Sequence, residues 1–130
     1  MIFEANNRYS FTLSPIEISE VDKIVFNLLS DDRIFATHSI LMRNARSSAQ
    51  LIFTSRRLVI VDKGSNDNTK EIGCIPYSKV VAYNVYGERD SNVLHNKLGL
   101  LFESNILLDL TFNSQVDLYT LCRLISDRIV

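Results

Sequence analysis

Apolar and polar residues alternate with different periods along the chain, and the changes of period divide it into predicted elements. Between positions 50 and 76, two apolar runs at 51–53 and 58–61 flank a polar turn, and a third run ends at Pro76. β-Branched residues between clusters of Gly, Asn and Asp are typical of antiparallel strands joined in chain order. This stretch predicts a meander in which a turn at 55–56 pairs Phe53 with Leu58 and Leu51 with Ile60.

Further strands are predicted on both sides of this meander. Residues 9–13 alternate strictly, which predicts a short strand or an arm that docks on an apolar surface. A ragged strand is expected over 33–39, and 40–49 is interpreted as a loop or bulged edge. Residues 80–86 alternate again. A last hairpin joins 98–102 to 106–112, and Asn105 tolerates the left-handed conformation that its three-residue loop needs.

Two stretches instead have the period of an amphipathic helix. Ser14, Pro15 and Glu17 have the order of an N-cap, a first helical residue and a capping box, which predicts a helix from 14 to about 29. Its apolar face contains Ile18, Val21, Val25, Leu28 and Leu29. The second predicted helix spans 115–129 after a cap at Ser114. Its apolar face contains Leu118, Leu121, Cys122, Ile125 and Ile129.

Composition then narrows the class of protein. The chain has 130 residues, a hydrophobic share of 46% and a formal net charge of −1. This length suits a single domain over 1–130, with an arm and helix in 1–30 and the main fold in 31–130. The charge balance argues against nucleic-acid binding, which depends on excess Lys and Arg. The N-terminus has no signal-peptide pattern and no apolar run reaches the roughly 20 residues of a membrane span. We therefore expect a cytoplasmic protein.

Candidate chemistry in the sequence is sparse. Cys74 and Cys122 have no metal-binding or redox spacing, and we interpret both as reduced core thiols. His38 and His95 lack the neighbours that a metal site or a catalytic centre needs. No nucleophile elbow or phosphate-binding glycine loop occurs. The sequence predicts no catalytic residue, metal ligand or cofactor, and hence no enzyme. A small hydrolase with an unrecognised site is the least favoured alternative.

Two motifs resemble a known family. The string T-x-x-R-L-x-x-V-D-K at 54–63 and the string I-P-Y-x-x-V at 75–80 are similar to those of the bacterial pleckstrin-homology-like (PH-like) family. The resemblance covers about 33–130. It implies a mostly β fold of the α+β class, in which two bent antiparallel sheets form a barrel capped by the C-terminal helix. The N-terminal helix would be an addition. The resemblance also implies a binding or assembly module without catalysis.

Apolar residues on faces that should point outward suggest self-association. Strands with apolar residues on both faces need cover on both. Two such surfaces are predicted, one around Ile52, Val59 and Val61 and one around Leu101 and Leu107. The N-terminal helix is expected to cover one of them. An open edge of the barrel is a further candidate for contact between copies. It would pair with another copy, or accept from a neighbouring copy the strand that carries Tyr9, Phe11 and Leu13. Since some proteins of the resembled family form rings, we expect a cyclic homo-oligomer; another protein partner is also open.

A peripheral membrane or anionic-ligand module is the main alternative. Arg43, Arg46, Arg56 and Arg57 would form its binding site, in the region that carries basic residues in eukaryotic relatives of the resembled family. These four arginines do not reproduce a dense phosphate-binding cluster. The expectation is therefore that membrane binding is weak or absent.

Overall fold

The computed structural model describes residues 8–29, 32–41, 49–62, 71–86, 96–113 and 116–128, and it is mostly β. Its strands form one eight-stranded sheet in the order β5-β4-β3-β2-β1-β8-β7-β6. The strands are β1 (Arg8–Pro15), β2 (Ile34–Ile40), β3 (Ala49–Thr54), β4 (Arg57–Asp62), β5 (Glu71–Pro76), β6 (Val80–Tyr86), β7 (Asn96–Phe102) and β8 (Leu107–Phe112). The helices are α1 (Lys23–Leu28) and α2 (Leu118–Ser126). The sheet curls into a half-barrel around one core, and α2 packs at its end.

The predicted meander is confirmed with its register. Leu51 lies opposite Ile60 and Phe53 opposite Leu58, and β4 continues antiparallel into β5. The side chain of Thr54 fixes the tight turn between β3 and β4, since its hydroxyl oxygen accepts the backbone N–H of Arg57 at 3.0 Å. Register follows the turn, so all the inward-facing residues of these strands reach the same core.

The last hairpin also has the predicted register. Leu98 lies opposite Leu110 and Leu100 opposite Leu108, and all four side chains are buried in the core. Asn105 has a φ of 65°, and it is the one non-glycine residue with positive φ in the described part of the chain. An asparagine tolerates this conformation better than most residues because its short polar side chain bonds locally. Turn chemistry therefore determines this register.

Strand β1 changes the predicted architecture. The short strand predicted at 9–13 is confirmed as β1, whereas the alternative of a docking arm is wrong. β1 lies in the middle of the sheet, parallel to β8 and antiparallel to β2. Leu13 is fully buried, and Tyr9 and Phe11 pack against the same core. Because β1 bridges the two predicted sheets, they form one continuous sheet.

The predicted continuous helix from Ser14 to residue 29 is not found. Ser14 and Pro15 end β1, where they pair with β2, and the sheet therefore takes the backbone groups that the helix would need. A 3₁₀ turn at Ile18–Glu20 follows, with its capping box between Glu17 and Glu20. The six-residue α1 then begins after Asp22, whose carboxylate accepts the backbone N–H of Ile24. The predicted cap at Ser14 is therefore wrong: the 3₁₀ turn is capped at Glu17 and α1 at Asp22.

The C-terminal helix is confirmed as an amphipathic element. Leu121 and Ile125 are fully buried against the core, while Asp117 and Arg123 face outward. Asp117 is the N-cap, since its carboxylate accepts the backbone N–H of Thr120 at 3.1 Å. The predicted cap at Ser114 and the last predicted core residue at Ile129 lie outside the described residues. Burial of the apolar stripe holds α2 on the sheet.

Candidate interaction surface

The outer face of the sheet is covered over one half. Ile52, Val59 and Val61 have no exposed surface, because Val21 and Val25 of the N-terminal segment pack on them. These five residues form a second apolar cluster, separate from the inner core. The N-terminal segment therefore covers one predicted apolar face, as expected, although it does so as a turn and a short helix. Ile52, Val59 and Val61, which were predicted to lie in an interface, are therefore covered by residues of the same chain. The expected interface between copies no longer depends on them.

Gln50 fastens this covering segment to the sheet. Its side-chain oxygen accepts the backbone N–H of Asp22 at 2.8 Å, and its side-chain NH₂ donates to the backbone carbonyl of Glu20 at 2.8 Å. Both hydrogen bonds satisfy backbone groups between the 3₁₀ turn and α1 that neither element satisfies itself. The two elements are thereby joined to β3 at the point where the chain bends.

The outer face of the other half keeps an open groove. Leu101 and Leu107 lie opposite each other on β7 and β8, and both are partly exposed. With Ala82 and Gly99 they line a groove of about 220 Å³. The side-chain amide of Asn84 lies over Gly99, and a Cβ at that position would require the amide to move. The predicted apolar pair is therefore present and is not covered by the N-terminal segment.

A polar cluster borders the groove. Asp109 is nearly buried on the outer face, and its carboxylate accepts hydrogen bonds from Nε of Arg8 at 2.6 Å and from the hydroxyl of Tyr86 at 3.2 Å. Lys97 lies 5.8 Å from the centre of the Tyr86 ring, within range of a cation–π contact. Desolvation and the neighbouring Asp109 carboxylate raise the pKa of Tyr86. These contacts orient Tyr86 at the rim of the groove.

Strand β6 ends the sheet beside this groove and exposes nearly its whole length. Every residue from Val81 to Tyr86 is exposed, including Val81 at 52%, Tyr83 at 39% and Val85 at 50%. Among the described strands β6 pairs with β7 alone. The hydroxyl of Tyr83 lies 2.7 Å from that of Ser126, so α2 is joined to this strand. An apolar edge strand of this kind is a site at which another strand can pair.

The arginines predicted to bind anions are engaged with a carboxylate of the same chain. Asp32 has a fully buried side chain, and Nε of Arg57 lies 2.8 Å from it. Nε of Arg56 lies at 3.6 Å, and the hydroxyl of Thr54 donates to the same carboxylate at 3.0 Å. The two arginines therefore neutralise an internal charge that would be costly alone. Arg43 and Arg46 lie outside the described residues.

Tyr77 binds the end of β3 next to this ion pair. Its hydroxyl donates to the backbone carbonyl of Thr54 at 2.6 Å, and its ring is almost fully buried. Desolvation, with a smaller contribution from Asp32, raises the pKa of the phenol well above its ordinary value. Arg57 and Tyr77 belong to the two motifs that resemble the PH-like family. In this structure they help to connect β3, β4 and β5.

The remaining reactive side chains are dispersed. Cys122 is buried as predicted, and burial raises the pKa of its thiol. Cys74 is exposed, which corrects the expected core position: it faces outward opposite Val59 near the end of the sheet. His38 is buried between Phe53 and Phe112, and His95 lies outside the described residues. Within the described ranges, no group of three or more His, Cys, Asp or Glu side chains is arranged to hold a metal.

A second cavity lies between β5 and the turn that joins β7 to β8. It has a volume of about 290 Å³, and its wall is mainly apolar. The lining residues are Cys74, Ile75, Pro76, Lys79, Phe102, Glu103, Ser104 and Ile106. Lys79 and Glu103 form an exposed ion pair at 3.0 Å.

In the part of the chain that the structure describes, no helix has the length and apolar character of a membrane span.

Sequence reasoning missed β6 as a feature of the surface. The alternation of 80–86 was recognised, yet alternation alone does not tell an edge strand from a central one. The available signal was the composition V-V-A-Y-N-V-Y, which has no charged residue, proline or glycine. Edge strands usually carry such residues because they discourage pairing with other chains.

Comparison with solved structures agrees with the fold. A DUF1696 family protein with a pleckstrin-homology domain from Shewanella loihica PV-4 superposes with a TM-score of 0.65 at 13% identity, over 92% of this chain and 98% of that one. A pleckstrin homology domain from Shewanella amazonensis SB2B gives a TM-score of 0.52 at 18% identity, over 90% and 91%. No protein-family model and no curated protein matches the sequence. The chain is similar to bacterial PH domains in fold, which confirms the PH-like resemblance at that level.

Proposed function

We propose that this chain is a non-catalytic PH-like module for protein–protein interaction and that it self-associates. The observation that carries the proposal is the difference in cover between the two outer faces. The N-terminal segment buries Ile52, Val59 and Val61, while Leu101 and Leu107 keep an open groove beside an exposed apolar strand. Exposed apolar surface on an edge strand and beside it is a feature of interaction sites.

The same surface is poorly suited to the anionic alternative. Its apolar residues are Ala82, Leu101 and Leu107, and the nearby Arg8 is paired with Asp109 at 2.6 Å. Arg56 and Arg57 are paired with Asp32. A headgroup or phosphate would have to compete with these carboxylates. The proposal therefore favours a protein partner, and it includes the cytoplasmic location expected from the sequence.

Light scattering coupled to gel filtration tests self-association directly. We expect a species larger than one chain at tens of micromolar, and its proportion should fall on dilution. Leu101→Glu places a charge in the groove and should weaken the assembly if the groove is part of the interface. Asp62→Asn, on the covered half, serves as a control for a change of charge elsewhere. A monomer throughout this concentration range would overturn the proposal.

A further inference from the structure

The two terminal strands of the sheet differ in how well they resist pairing with another chain. β5 contains Gly73 and ends at Pro76, and proline cannot donate a hydrogen bond to an added strand. β6 has neither residue type and no charge. Its only irregularity is a register shift between Val80 and Ala82, so residues 82–86 are regular. The regular part of β6 is the terminal strand better suited to accept a partner.

This five-residue stretch is complementary to itself. When two copies run antiparallel about a two-fold axis at Asn84, Tyr83 of one lies opposite Val85 of the other. Cross-strand pairs of an aromatic and a β-branched residue stabilise sheets. Tyr86 then lies opposite Ala82, a large side chain opposite a small one beside the open groove. Asn84 meets its own copy, where two amides can bond to each other.

The two faces of the strand agree with this arrangement. Tyr83 and Val85 lie opposite Leu100 and Leu98 of β7 and therefore project to the inner face, where they are nevertheless exposed. Pairing with a second strand would extend the inner apolar layer across the axis and reduce that exposure. No side chain of the stretch is charged, so the arrangement places no like charges opposite each other.

We propose that β6 pairs with β6 of a second copy, antiparallel and centred on Asn84, so that two sheets become one. This inference rests on the proposed self-association and specifies its interface. A two-fold pairing uses the same strand from both copies and closes after two chains. In a ring built by strand pairing, as the family resemblance suggests, β6 of each copy would pair with a different strand of the next copy. The other terminal strand is β5, and Gly73 and Pro76 make it poorly suited to pairing. The geometry therefore favours a dimer.

Cysteine cross-linking tests both the strand and its register. In a Cys74→Ser background, which removes an exposed native thiol, Asn84→Cys places two thiols directly opposite each other across the axis. A short cross-linker with two maleimide groups, each of which forms a thioether with one thiol, should convert this variant into covalent dimer. Ala82→Cys is the matched control, because its two copies would be roughly 13 Å apart along the strands. Efficient linkage at position 82 instead of 84 would overturn the proposed register.

Charge substitution tests the same interface without chemical cross-linking. Val85→Lys should increase the dissociation constant of the dimer by roughly tenfold or more, since a charge would enter an apolar cross-strand pair. Val81→Lys is the matched control, because Val81 is equally exposed but lies in the register shift beyond the paired stretch. Circular dichroism and thermal melting establish that both variants are folded. Equal weakening by the two substitutions would contradict the pairing.

The outcomes separate this inference from the function on which it rests. A monomeric wild type overturns both. An oligomer that survives Val85→Lys and does not link through position 84 overturns the β6 pairing but leaves self-association standing. A monomer that instead binds an extended peptide of another protein at β6 overturns the choice of a second copy. Linkage at 84 together with loss of the dimer in Val85→Lys supports the proposal.

Discussion

The two halves of the curled sheet share one inner core but treat their outer faces differently. On β3 and β4 the outer valines and isoleucine are buried under the N-terminal segment, which Gln50 fastens in place. On β6, β7 and β8 the outer Leu101 and Leu107 remain partly exposed beside an open groove. A similar apolar alternation in the sequence therefore has two outcomes. Where the N-terminal segment covers the face, the face contributes to stability, and where the described residues leave it open, it keeps exposed apolar surface.

Their ion pairs differ in the same way. The first half places the carboxylate of Asp32 in the interior, where Arg57, Arg56 and Thr54 surround it. The second half has the pair Lys79 and Glu103, both more than half exposed, and the pair Arg8 and Asp109, in which only the carboxylate is nearly buried. A buried carboxylate depends strongly on its partners, whereas exposed pairs contribute little. Loss of Arg57, the partner of the fully buried carboxylate, should therefore lower the free energy of unfolding more than loss of the exposed Lys79.

The largest expected effect is that of Val25→Asp. Val25 lies on the buried face of α1 with no exposed surface, and a carboxylate there would be buried with no positive partner in the second apolar cluster. We expect the free energy of unfolding to fall by at least about 4 kcal/mol, measured by urea denaturation. Val81→Asp on β6 is the control and should cost at most about 1 kcal/mol. Similar losses for both would show that the two halves do not differ in cover.

Local patterns were sufficient to predict part of this comparison. The registers of the meander and of the last hairpin, the left-handed Asn105 and the C-terminal helix follow from alternation and turn chemistry within a few residues. These features need no information about distant partners, because the turns themselves determine which residues face the core. Burial of Val21 and Val25 was also predicted, but Ile18 and Leu28 of the same predicted face are exposed, because a turn and a short helix replace the continuous helix.

Features that depend on distant pairing were not predictable. β1 lies parallel to β8, about a hundred positions away, as the contact between Arg8 and Asp109 illustrates. A short alternating stretch looks the same whether it lies at an edge or in the centre. The capping signal at Ser14 was lost for the same reason, since pairing with β2 outweighs local helix preference. The pairing of Arg57 with Asp32 likewise joins residues from separate elements.

A moderate effect is expected from the two ion pairs. Arg57→Ala leaves the buried carboxylate of Asp32 with the more distant Arg56, and we expect a loss of about 2 kcal/mol in urea denaturation. Lys79→Ala, which removes an exposed pair, should cost about 0.5 kcal/mol or less. A double variant Arg57→Ala with Asp32→Asn should recover part of the first loss, since the uncompensated charge is gone. Equal losses in the two single variants would refute the difference in burial.

The smallest effect concerns the seam where the two halves meet, and it appears as a pH dependence. His38 lies between Phe53 of the first half and Phe112 of the second, with ring centres 5.9 and 5.2 Å away. Desolvation by burial lowers the pKa of His38 from 6.5 to about 4, although a hydrogen bond with the backbone of Leu51 opposes the change. The folded state therefore favours the neutral ring, and the unfolded state binds the proton more readily.

The stability that the folded state gains from keeping His38 neutral is therefore fully present above pH 6.5. It is lost as the pH falls toward 4. At pH 5.5 the loss in the free energy of unfolding should be about 1 kcal/mol relative to neutral pH, from the difference between the two pKa values. His38→Phe keeps an aromatic ring in the seam without a titrating group, so the difference between the two unfolding curves isolates His38. If the wild type and His38→Phe lost stability in parallel between pH 7 and 5, the buried neutral histidine would not couple the halves to pH.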